Sequence, residues 1–199
     1  MTLLAQAALL ILAGAPTPPD PAAEGPVLPS VEDQMAAALQ AAPEDMRAAA
    51  TVLAYRAGPT LARVRIGKGD LVCLADDPAK DGFQAACYHR ELEPYMARGR
   101  ALRAQGVLGQ DNRAQRWAEI EAGKLVFPKQ PRALYVLHGA GWDPATKEVK
   151  DAYLRWVVFT PYATPESTGL TTQASPSAPW LMFPGTAGAH IMINPPQKK

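Results

Sequence analysis

Cys73 and Cys87 each sit inside a short apolar run, Leu71-Val72-Cys73-Leu74-Ala75 and Phe83-Gln84-Ala85-Ala86-Cys87-Tyr88. The residues between the runs include Asp76, Asp77, Pro78, Asp81 and Gly82. Each run has the length and composition of a strand, and Asp, Pro and Gly favour a bend for local reasons. Antiparallel pairing about Lys80 sets position 73 opposite position 87. The spacing therefore predicts a hairpin closed by a disulfide between Cys73 and Cys87. On the chain-entropy model a bridge over a loop of about 15 residues is worth about 3 kcal/mol. The plainer alternative is a pair of buried free thiols. The spacing is not CxxC and no second pair exists, which argues against a zinc or thioredoxin-like site.

The hairpin belongs to a longer run of strand candidates. Ala50–Arg56 and Leu61–Ile66 precede it, separated by Ala57-Gly58-Pro59, and Gly67-Lys68-Gly69-Asp70 leads into Leu71. Loops this short between consecutive strands predict an antiparallel meander. Ser30 is a helix N-cap, followed by Val31, Met35, Ala38, Leu39 and Ala42 at helical spacing, with Pro43 as a break. Two more helices follow the hairpin. Leu92, Tyr95, Met96, Gly99 and Leu102 make one face of the first, which Gly106 stops. Asp111 caps the second, with Ala114, Trp117, Ala118 and Ile120 expected inward and Gly123 at its end. Strand candidates then return at Leu125–Phe127, Ala133–His138, Tyr153–Thr160, Trp180–Phe183 and Ala189–Ile193. The expected architecture is a single α+β domain over 30–199, a mainly antiparallel sheet with three or so helices packed on one face of it.

The first 15 residues are almost entirely apolar, too short for a membrane-spanning helix but suited to the core of a secretory signal. No Lys or Arg precedes the run, and Pro16 follows the small-residue triplet Ala13-Gly14-Ala15. We expect a signal peptide over 1–23 and a Pro-rich linker over 24–29, the last part of a proline-dense stretch that begins at Pro16. The alternative is a short helix of a cytoplasmic protein. Two cysteines agree with export, since disulfides persist in oxidising compartments. No later stretch reaches spanning length.

Charge excludes some functions. The chain carries 20 Lys+Arg against 19 Asp+Glu, a net charge of +1. A nucleic-acid partner is not expected from that balance. Gly67-Lys68-Gly69 is a turn rather than a phosphate-binding loop, because no helix follows it. Arg90, Arg98, Arg100 and Arg103 spread around a helix axis beside Glu91 and Glu93, as on a solvated face.

The chain has only three histidines, His89, His138 and His190. Strand alternation puts His190 and Met192 on one face, and Met182 lies on the preceding strand candidate. Imidazole with thioethers suits copper, particularly Cu(I), with zinc as a harder alternative. Against this, Met on a strand is ordinary core filler. The loop Thr160–Leu170 concentrates hydroxyls around Glu166. Glu166 as acid or base, Ser167 as nucleophile, and His138 or His190 as imidazole would make a hydrolase. No GxSxG elbow supports that reading, and a solvated turn explains the same residues. Trp142, in Gly139-Ala140-Gly141-Trp142-Asp143, would suit a sugar or peptide surface if exposed, and a packed Trp that anchors the loop explains it equally well.

No motif specifies a cofactor or a partner. The leading expectation is an exported, non-catalytic binding or structural module. The alternative is a small hydrolase or a copper- or zinc-binding protein with its site around His138, Glu166, Ser167 and His190.

Overall fold

The computed structural model describes residues 28–56 and 58–194. The expected signal peptide and residues 24–27 of the expected linker lie outside the described residues. The helices are α1 (Val31–Leu39), α2 (Glu44–Arg47), α3 (Glu93–Ala104), α4 (Gly109–Glu121) and α5 (Pro165–Thr168). The strands are β1 (Thr51–Tyr55), β2 (Leu61–Arg65), β3 (Leu71–Leu74), β4 (Phe83–His89), β5 (Arg132–Gly139), β6 (Gly141–Asp143), β7 (Glu148–Lys150), β8 (Tyr153–Phe159), β9 (Trp180–Met182) and β10 (His190–Ile193). Eight strands form one sheet in the order β2-β1-β3-β4-β5-β8-β10-β9, and β6 and β7 make a separate hairpin. The fold is a single α+β domain on a mostly antiparallel sheet.

The cysteine hairpin forms in the expected register. Cys73 pairs with Cys87 across β3 and β4, and the two sulfurs are bonded at 2.09 Å. The meander expectation needs correction next to it. β1 pairs antiparallel with β2 but parallel with β3, so β2 is an edge strand and β1 lies between its two successors. The turn at residues 67–69 must therefore cross the chain leading into β1. Glycine makes that crossing possible: a Cβ on Gly67 would lie 2.1 Å from the Ala49 carbonyl oxygen. Gly69 N–H donates to that same carbonyl at 2.8 Å.

Helices cover both faces of the sheet, not one. Side chains alternate along a strand, so Phe83, Ala85 and Cys87 of β4 enter one core and Tyr88 enters the other. The first core is built with α1. Ser30 caps this helix, its hydroxyl accepting from Asp33 N–H at 3.0 Å, as the sequence predicts. Ala37, Ala38, Ala41 and Ala42 bring the helix side close to the sheet, and Cys87 Sγ lies 3.4 Å from the Ala38 carbonyl oxygen. Gln34 is buried because it acts as a pairing partner for the end of β1. It donates to Tyr55 O at 2.9 Å and accepts from Tyr55 N–H at 2.8 Å.

The second core lies under α3 and α4 and is aromatic: Tyr88, Tyr95, Phe159 and Trp180 are buried in it. The expected strand at 125–127 does not form. Both edges of β5 are taken by β4 and β8, and Pro128 follows without an N–H to offer a ladder. Phe127 instead packs edge-on against Tyr95, with ring centroids 4.8 Å apart. Helix α4 begins at Gly109, with Leu108 at the cap and Asp111 inside the first turn. Its inward stripe is also shifted from the expected one. Ala114 and Ala118 are exposed, while Arg113, Arg116, Trp117 and Ile120 are half-buried.

Candidate functional site

Four elements converge on His190. Strand β10 places His190 directly opposite Met182 of β9 and opposite Phe159 of β8. The turn between β9 and β10 brings Phe183 to the ring, with centroids 5.5 Å apart, and Phe159 packs at 5.2 Å from the other strand. Phe183 has φ of 55°, a left-handed backbone that a bulky side chain adopts at a cost of about 1–3 kcal/mol. Strain of that kind persists where surrounding structure holds it and is frequent at ligand sites.

Helix α4, with Tyr95 of α3, supplies the rest of the wall. Trp117 packs edge-on against Phe183 at 5.3 Å and donates from Nε1 to the Tyr95 hydroxyl at 3.3 Å. Gly188 makes room for that indole, since a Cβ there would lie 2.2 Å from Trp117 Nε1. The result is a cavity of about 240 Å³ lined by Tyr95, Arg113, Arg116, Trp117, Phe183 and His190, with Phe159 at its floor.

The electrostatics are cationic. Arg113 lies 5.0 Å over the Phe183 ring and Arg116 lies 3.9 Å over the Tyr95 ring. Arg116 is also held by carbonyls, donating to Asn112 O and Tyr95 O at 3.3 Å each. Neither guanidinium forms an ion pair among the described residues, whereas Arg98 pairs with Glu119 and Arg100 with Glu93. Burial, reinforced by Arg103 and Arg113, lowers the pKa of Arg116.

Burial also lowers the pKa of His190, with the charge of Arg113 adding to it. Its Nδ1 is 2.7 Å from the Gly188 carbonyl oxygen. A carbonyl only accepts, so the neutral ring carries its proton on Nδ1 and presents Nε2 as an acceptor.

The structure brings some of the expected residues together and keeps others apart. His190, Met182 and Met192 share one face of the β9–β10 pair, with Met192 buried and Met182 half-buried in the aromatic core. Among the described residues, no group of three or more His, Cys, Asp or Glu is arranged to hold a metal ion.

His138 is remote. It pairs with Tyr153 at one end of β8 while His190 pairs with Phe159 at the other. Six residue steps at ~3.3 Å each separate them by roughly 20 Å. Burial and then Arg155 lower the pKa of His138. Ser167 and Glu166 lie in the one-turn helix α5 and are exposed. The Ser167 hydroxyl accepts from Thr164 N–H at 2.9 Å and donates to Thr164 O at 3.1 Å, so it serves as a cap. Hydrogen bonds from the Thr164 hydroxyl and the Glu166 backbone lower the pKa of Glu166.

Sequence reasoning missed Arg113, Arg116, Phe183 and Gly188. The usable signal was the spacing of 113, 116, 117 and 120 on one helical stripe, which a rule of charged-outward reading discards.

Compared with protein-family models, curated proteins and solved structures, the chain matches none.

Proposed function

We propose that this protein is an exported, non-catalytic binding module whose ligand is a small organic anion carrying a flat apolar body, held in the His190 cavity. One observation carries the reading: Arg113 and Arg116 face an aromatic cavity with no carboxylate partner among the described residues. A guanidinium kept away from acids and laid over an aromatic ring is available to a ligand carboxylate, and planar donors favour that group. Tyr95, Trp117 and Phe183 supply walls for a ring, and His190 Nε2 offers one acceptor. Export is supported by the Cys73–Cys87 disulfide, since such bonds persist outside the reducing cytosol. No helix among the described residues is long and apolar enough to cross a membrane.

Isothermal titration with benzoate, and with benzamide as its uncharged counterpart, tests the reading. We expect benzoate to bind and benzamide to bind about ten-fold or more weakly, the scale of a lost charged hydrogen bond. Arg113→Gln should remove the difference. Equal binding of the two, or no binding of either, overturns it.

A second reading has its own observation. His190 donates from Nδ1 to a backbone carbonyl, the arrangement by which metal-binding imidazoles are commonly oriented. With Met182 opposite, Nε2 and a thioether suit Cu(I). A rise in melting temperature with Cu(I) that His190→Ala abolishes would favour copper over the organic anion. A hydrolase around His138, Glu166, Ser167 and His190 is the reading this geometry supports least, given the separation of the two histidines and the capping role of Ser167.

A further inference from the structure

A second cavity lies on the opposite side of the sheet, against α1. It has a volume of about 390 Å³ and is lined by Asp33, Asp76, Lys80, Phe83, Trp142 and Pro144. We infer that this cavity is a saccharide site, taking a neutral pyranose ring against the Trp142 indole, with carboxylate oxygens of Asp76 and Asp33 accepting from its hydroxyls.

The platform is fixed before any ligand arrives. The β6–β7 hairpin folds back tightly over the end of β5, where a Cβ on Gly139 would lie 2.4 Å from Val149 Cγ1. Helix α1 then clamps the hairpin at two points. Asp33 accepts from Trp142 Nε1 at 3.2 Å and from Lys147 Nζ at 2.6 Å. Gln40 donates to Lys147 O at 2.7 Å and accepts from Val149 N–H at 3.3 Å. With its N–H turned to Asp33, the half-buried indole packs partly against the α1-side core and lines the cavity with the rest of its ring. Phe83, Pro29, Pro78 and Pro144 extend the apolar wall.

Charge decides between a sugar and a cation. Asp33 is neutralised by Lys147 and Asp77 by Lys80. Asp76 forms no ion pair among the described residues. Its Oδ1 accepts from Gln84 N–H at 2.8 Å, and burial is the main influence on it, raising its pKa. A site whose charges are mostly paired, and whose wall carries the Lys80 ammonium, does not attract a cation strongly. Its oxygens remain good acceptors for hydroxyl groups. A ring with one apolar face and a rim of hydroxyls matches such a surface, where one end is apolar and the other wet.

The test is saturation-transfer NMR and calorimetry on the oxidised protein with glucose, galactose, N-acetylglucosamine, cellobiose and chitobiose. We expect at least one of these to bind in the millimolar range, about ten-fold or more weaker in Trp142→Ala and largely retained in Trp142→Phe. Asp76→Asn, at the rim of the cavity, gives a readout should Trp142→Ala fail to fold, and is expected to weaken binding. Trp156→Phe is the control, because Trp156 is 43% exposed on another part of the sheet. No binding by any of the five sugars overturns the inference. So does binding that Trp142→Ala and Asp76→Asn leave unchanged, or binding of n-butylamine in place of the sugars.

Discussion

The two faces of the sheet solve the same burial problem with opposite materials. On the α1 face, eight of the buried core residues are alanine and the largest cross-link is the disulfide, with Phe83 the one buried aromatic. On the α3–α4 face, no alanine is among the buried core residues, and Tyr88, Tyr95, Phe159 and Trp180 fill the space. Small side chains let a helix sit close to strands and gain many weak contacts per area. Large rings span a wider gap and meet edge to face, as Tyr95, Phe127 and Phe159 do at 4.8–5.9 Å. The close-packed side has little space within it, and its cavity lies beside the β6–β7 hairpin, lined by Trp142 and Pro144. The aromatic side leaves a gap between rings, and there the His190 cavity sits.

That contrast makes the two faces fail in opposite ways. The largest effect is expected from Phe159→Ala, which removes a ring from the wide side. Truncating a buried Phe costs about 3–5 kcal/mol, to be measured by urea denaturation of the oxidised protein. A loss under ~1 kcal/mol would mean that the neighbouring rings collapse into the gap. A smaller effect comes from enlarging the narrow side. Ala38, fully buried against the disulfide hairpin, should cost about 1–3 kcal/mol as Ala38→Leu by overpacking. A neutral or stabilising Ala38→Leu would show that α1 has room to move, and the contrast would fail.

The smallest effect is in the pH dependence. His190 has its pKa lowered from 6.5, so the unfolded chain binds its proton more readily than the folded one. Stability should be full above about pH 6.5 and fall as pH drops through the folded pKa, and His138 adds in the same direction. The Asp76 carboxyl, raised by burial, slopes the other way at lower pH. His190→Asn should flatten the loss just below pH 6.5 in denaturation curves taken at several pH values. An unchanged slope would place the effect on His138 alone.

What could be read from the sequence was what is local. The Ser30 cap, the stripe of α1 and the register of Cys73 on Cys87 each depend on residues within about one turn or one hairpin, where periodicity carries the information. The parallel pairing of β1 with β3 was not legible. It requires Gly67 to pass close to Ala49, a steric fact between residues that no pattern links. The His190 cavity was legible only in part, for a related reason. The shared face of His190 and Met192 follows from alternation, and the β9–β10 hairpin then sets Met182 opposite His190. Arg113 and Arg116 are not legible because charged residues usually face water, and here their guanidiniums lie over the rings of Phe183 and Tyr95. Trp142 was noticed for its surroundings of glycine, but the partner that pins it, Asp33, lies more than a hundred residues away.

The position of the disulfide hairpin has a consequence for assembly. With only two cysteines in the chain there is one possible intramolecular bond, so oxidation has no wrong partner to choose. The two thiols are 14 residues apart, and closing so short a loop is fast beside the gathering of distant strands. Strands β3 and β4 are also interior members of the sheet, with β1 added on one side and β5 on the other. An oxidised hairpin would thus present two open edges in a fixed register. A chain emerging into an oxidising compartment could lock this template first and recruit the remaining strands outward from it.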